Sequence, residues 1–121
     1  QVTSASTPPV VANVFVGENA CQGPSACNSI YRNSKDFKGS VTIEKGACDG
    51  IAACANAASS PQASNDIIIK EGVCKEGPGR DDPGQCQNCV QEDMCGGDST
   101  KTYTISDAGL DCPEPNPLAC S

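Results

Sequence analysis

The chain has 121 residues, eight of them basic and 15 acidic, for a formal net charge of −7, and it contains neither histidine nor tryptophan. A Ser-His-Asp or Cys-His nucleophile pair, a histidine metal ligand and an imidazole switch are therefore excluded, and an acidic chain with two Tyr and two Phe lacks the basic, aromatic surface that nucleic acid requires. Leu, Ile, Val and Phe make up 19 residues, about 16%, too few for an ordinary core, whereas ten cysteines, about 8%, mark a disulfide scaffold in one small domain.

Residues 1–12 read as an extended arm and 13–121 as a cysteine-rich domain. Gln1 opens the sequence without a methionine or an apolar leader, the start expected of a secreted chain after signal removal. Thr3, Ser4, Ser6 and Thr7 stand beside Pro8 and Pro9 and are candidates for O-glycosylation. Asn19-Ala20-Cys21 is a weak acceptor pattern, so N-glycosylation is not expected. Val10 and Val11 follow the prolines, and with Val14, Phe15 and Val16 they form an apolar extended stretch suited to strand addition on a second chain. These five residues are the candidate assembly interface.

Internal similarity begins at Asn13. The segment 13–27 lies over 40–54 without a gap, matching Val14 to Val41, Val16 to Ile43, Ala20 to Ala47, Cys21 to Cys48, Gly23 to Gly50, Ala26 to Ala53 and Cys27 to Cys54. A third copy starts at Asp66 and runs through Ile67, Ile69 and Gly72 to Cys74, after which 75–85 is inserted before Cys86. A fourth, degenerate copy spans 102–112, with its cysteine two residues late at Cys112 and the partner of that cysteine delayed to Cys120. Each copy reads as a short strand with alternate apolar residues facing inward (Val14/Val16, Val41/Ile43, Ile67/Ile69, Tyr103/Ile105) and with Phe15, Thr42, Ile68 and Thr104 on the opposite face. A Gly-containing turn and a cysteine follow. The only helix expected lies at 51–58, with a matching turn at 25–30.

One strand per copy and long connections predict an all-β fold, a short disulfide-stapled parallel β-helix of three to four coils. The alternative is a small antiparallel β-sandwich. Units of strand, polar turn and Ala/Ser-Cys-x-Gly-x-x-Ala-Cys resemble the cysteine-rich tandem-repeat extracellular proteins of algae and protists. Val16 to Cys27 and Ile43 to Cys54 carry the match, which covers roughly half the chain. That resemblance implies a parallel β-helix and a role at the cell surface, and it implies no site.

All ten cysteines (Cys21, Cys27, Cys48, Cys54, Cys74, Cys86, Cys89, Cys95, Cys112, Cys120) are expected in disulfides. Bridges within each copy, Cys21 to Cys27 and Cys48 to Cys54, are the first expectation, and bridges between adjacent coils the second. Cys86-Gln87-Asn88-Cys89 lacks the βαβ setting of a redox motif. Cys74, Cys86, Cys89 and Cys95 are numerous enough for a structural zinc, but an oxidised chain favours disulfides, so no metal or other cofactor is expected. Glu92, Asp93 and Asp98 have no calcium-loop spacing and read as solvated charge. No apolar stretch approaches the ~20 residues of a membrane span.

No enzyme activity is expected. The functional expectation is an extracellular structural or cell-surface protein that self-assembles head-to-tail into filaments through its solenoid ends and the arm. The alternative is a secreted monomeric binding module, an effector, defence protein or inhibitor, that uses the 75–85 loop with Arg80 near its tip.

Overall fold

A computed structural model of the chain describes residues 13–28, 40–57, 65–77, 82, 84–89, 95–96, 98, 100–112 and 116–121. Among the described residues four strands carry the fold: β1 (Asn13–Val16), β2 (Ser40–Ile43), β3 (Asp66–Ile69) and β4 (Thr102–Ile105). They form one sheet in chain order, and every pairing is parallel. Parallel neighbours require a crossover between them, so the hairpin connections of an antiparallel sandwich do not occur. The architecture is all-β.

Register follows the apolar alternation. Val14 pairs with Val41 and Val16 with Ile43. Ile67 and Ile69 pair with Val41 and Ile43 on one side and with Tyr103 and Ile105 on the other. A slip of one residue would turn each apolar set to solvent, which ties the register to the inner face. Val41, Ile43, Ile67, Ile69, Tyr103 and Ile105 are accordingly buried. Val16 departs from the expected inward stacking: it is 46% exposed, because no described strand lies beyond β1 to cover it.

The segments after the strands also stack. Cys21 N–H donates to Ala47 O at 3.0 Å, Gly50 N–H to Gln22 O at 2.8 Å, Cys54 N–H to Ala26 O at 2.7 Å and Asn56 N–H to Asn28 O at 2.9 Å. Cys48 continues to Val73 O, Cys86 to Ala53 O and Asn88 to Ala55 O. Between this second ladder and the sheet lies a thin core closed by Ala47, Ala53, Ala57 and the cysteines. Alanine methyls and disulfide sulfurs occupy the space that larger aliphatic side chains fill elsewhere, which is how so few Leu, Ile, Val and Phe suffice.

Close stacking imposes an unusual backbone. Cys21, Cys48 and Cys74 adopt φ of 58°, 56° and 70°, Ser25 and Ala52 adopt 57° and 52°, and Asn56 and Asn88 adopt 59° and 58°. Left-handed residues at such short intervals are incompatible with an α-helix. The helix expected at 51–58 is therefore replaced by consecutive turns over 51–57, and residue 58 lies outside the described residues. At Gly50, φ is +115° and a Cβ would stand 2.7 Å from Glu76 N, so only glycine fits.

The ten cysteines form five disulfides: Cys21–Cys27, Cys48–Cys54, Cys74–Cys86, Cys89–Cys112 and Cys95–Cys120. The first three close the segment that follows β1, β2 and β3. The fourth-copy expectation, Cys112 with Cys120, is corrected. Cys112 reaches back 23 residues to Cys89, and Cys120 reaches back 25 residues to Cys95. The reason is local: after β4 the chain enters a helical turn, α1 (Ala108–Asp111), and then a 3₁₀ turn (Pro117–Ala119), so Cys120 returns along β4.

Candidate functional site

Among the described residues the two edges of the sheet differ. In a parallel strand each residue directs its N–H and C=O to one side, and its neighbour directs them to the other. Gly17 N–H donates to Ile43 O at 2.7 Å, so Phe15 also faces β2, and the N–H and C=O of Val14 and Val16 face away from the sheet. Phe15 adds a side chain 58% exposed on the solvent face. This edge contains Val14, Phe15 and Val16 of the candidate interface, whereas Val10 and Val11, like the glycosylation candidates Thr3, Ser4, Ser6 and Thr7, lie outside the described residues.

The β4 edge is covered at Thr102 by the chain's own C-terminal segment. Thr102 N–H donates to Ser121 O and Ser121 N–H to Thr102 O, both at 3.0 Å, an antiparallel pairing that brings Cys120 opposite Tyr103. A polar knot fixes this cap. Asp111, 3% exposed, accepts from Ser106 N–H at 2.8 Å and Asp107 N–H at 3.0 Å through Oδ2, and from Asn116 Nδ2 at 2.9 Å through Oδ1. The Tyr103 hydroxyl donates to Asp111 O and accepts from Asn116 N–H, each at 2.9 Å. Burial pushes the Tyr103 phenol above its ordinary pKa; the Asp111 charge acts in the same direction, and the Asn116 N–H opposes it.

This cap was not anticipated from the sequence, although its signals are present there. Asp107 caps α1 by accepting from Gly109 N–H at 2.8 Å. Asn116 caps the 3₁₀ turn by accepting from Leu118 N–H at 3.1 Å, with Pro117 in the first position.

The 75–85 loop is pinned at its base. Gln85 N–H donates to Lys75 O and Lys75 N–H to Gln85 Oε1, both at 2.9 Å, directly above Cys74–Cys86. Arg80 lies outside the described residues. A shallow hollow of about 270 Å³ opens beside this base, lined by Gln85, Asp107, Ala108 and Gly109. The carboxylate it contains, Asp107, is engaged as the α1 cap.

The cysteine set considered for zinc is corrected. Cys95 belongs to a separate bridge, and the sulfurs that converge are those of Cys54, Cys74 and Cys86 and those of Cys86, Cys89 and Cys112. All are consumed in disulfides, with Cys112 Sγ 3.8 Å from Cys86 Sγ across two neighbouring bridges. Of the loop acids, Glu92 and Asp93 lie outside the described residues. Asp98 is exposed, and its pKa is lowered by the Thr100 hydroxyl, then by the Thr100 N–H, with a smaller contribution from the Lys101 charge.

No protein-family model matches the chain, nor does any curated protein or solved structure. Among the described residues no helix is long and apolar enough to cross a membrane.

Proposed function

We propose that the chain is an extracellular structural protein: a short disulfide-stapled β-solenoid that assembles with other copies by strand addition on its first coil. The observation that carries this reading is the inequality of the two sheet edges: among the described residues, the β4 edge pairs with Ser121 at Thr102, whereas no partner meets the outward backbone of β1 beside Phe15 and Val16. Unpaired edges recruit strands. Solenoid coiling is supported by the second ladder of backbone bonds joining 21–28, 47–56 and 84–88. Five disulfides, each contributing about 2–4 kcal/mol in the chain-entropy description, support residence in an oxidising compartment, outside the cell.

Head-to-tail filaments need the outer edge of β4 as well. Thr102 has both its backbone groups committed to Ser121, so filament growth requires the C-terminal segment to lift away. Sedimentation over a concentration series and negative-stain electron microscopy of the unreduced chain test the reading. Concentration-dependent association supports it, and a monomer at every concentration refutes it. Deleting residues 1–12 shows whether the arm contributes: loss of assembly with retained fold places Val10 and Val11 in the contact.

The second reading, a monomeric binding module, is favoured by the clamped base of the 75–85 loop. A strictly monomeric chain that captures a trypsin-like protease, and loses the capture in Arg80→Ala, would establish it.

A further inference from the structure

We propose that the partner on the first coil is a second copy of this chain, and that the two copies form a closed two-fold pair with β1 lying antiparallel to β1. This rests on the self-assembly reading and gives it a geometry. The outward groups on β1 belong to Val14 and Val16, separated by one residue. An antiparallel copy therefore sets Val14 opposite Val16 of the second copy, and Val16 opposite Val14. Each pair exchanges N–H and C=O in both directions, a set of about four hydrogen bonds around an axis at Phe15. Phe15 then meets Phe15 of the second copy in a close pair on the solvent face, where an aromatic 58% exposed is otherwise unused.

Charge selects the occupant. A chain of net charge −7 meets its own copy favourably only where it is poor in charge, and among residues 13–28 the single ionisable side chain outside the disulfide is that of Glu18. Among residues 13–28 a basic partner would find no acidic cluster. Two-fold pairing uses both β1 edges and leaves each covered β4 edge at the outside, so the assembly closes at two chains instead of extending. The contact is short, and the association is accordingly concentration-dependent.

The test uses the full unreduced chain in sedimentation equilibrium with three variants. Val16→Pro removes an N–H that points away from β2, so it spares the β1–β2 ladder, as edge prolines do. Phe15→Glu places like charges face to face at the axis. Each raises the dissociation constant at least about tenfold with an unchanged circular dichroism spectrum. Leu118→Glu, at a side chain 92% exposed on the covered end, leaves the dimer intact. Should Val16→Pro fail to fold, Phe15→Glu carries the test. Association that survives Phe15→Glu, or that grows into open filaments, overturns the two-fold geometry and spares the self-assembly reading. A chain that is monomeric at every concentration overturns both.

Discussion

Replacing Tyr103 by Phe removes one oxygen from the knot that holds the cap. The ring is fully buried, and Phe preserves its shape, so no cavity opens. What changes is hydrogen bonding: Asp111 O loses its donor and Asn116 N–H its acceptor, each formerly at 2.9 Å. An orphaned buried polar group costs about 1–3 kcal/mol. Asp111 is 3% exposed and falls in the upper part of that range, while Asn116 is half-buried and falls in the lower part. The expected loss is about 2–4 kcal/mol, a fall in Tm on the order of 10 °C for a domain of this size.

The pH dependence gives the same prediction a second signature. Burial raises the Tyr103 pKa in the folded chain above the value near 10 of an unfolded tyrosine. Tyr103 therefore stabilises fully below about pH 10, and its contribution declines as pH rises from there through the folded value. Urea unfolding with the disulfides intact, followed by circular dichroism, should show a gap between wild type and Tyr103→Phe that narrows in alkali. A variant within about 0.5 kcal/mol of wild type at neutral pH would refute the argument, because it would mean that the orphaned groups find water. So would a gap that does not change with pH.

Three further outcomes follow from the stacked backbone, the cap and the exposed acid. Gly50→Ala drives a Cβ to 2.7 Å from Glu76 N and should cost about 2–4 kcal/mol, whereas Ala52→Gly relieves a left-handed residue at φ 52° and should gain about 0.5–1 kcal/mol; both are read from urea midpoints. Replacing both cysteines by alanine should cost about 2 kcal/mol for Cys21–Cys27, with a separation of six, and about 3.5 kcal/mol for Cys95–Cys120, with a separation of 25. The second replacement also loosens the C-terminal pairing on β4, so on the proposed two-fold geometry light scattering and microscopy should find open chains in place of closed pairs. Thr100→Val should return Asp98 toward the ordinary carboxylate pKa, seen by NMR titration. The stabilising effect of that hydrogen bond is present above the ordinary value and lost as pH falls through the depressed one.

The strands were legible because their signal is local. Val41/Ile43, Ile67/Ile69 and Tyr103/Ile105 alternate with polar or outward residues, and alternation along a strand is a property of four consecutive residues. The matched spacing of Cys21/Cys27 and Cys48/Cys54 anticipated those bridges for the same reason, since a loop closed over six positions leaves little freedom. Ala52 and Asn56 misled, because alanine-rich 51–57 has high helix propensity and only the stacking on 24–28 forces the left-handed turns.

By itself the sequence determined the place of the four described strands, their parallel arrangement, the absence of histidine chemistry, and the replacement of aliphatic bulk by cysteine and alanine. Tertiary structure alone decided that Cys112 joins Cys89 and Cys120 joins Cys95, and that, among the described residues, the β4 edge is covered at Thr102 while the β1 edge stays open. The division is one of range. Side-chain alternation, repeat spacing and short loops are read from the chain itself, whereas the choice of a distant cysteine and the covering of Thr102 by Ser121 depend on where the chain has gone in between.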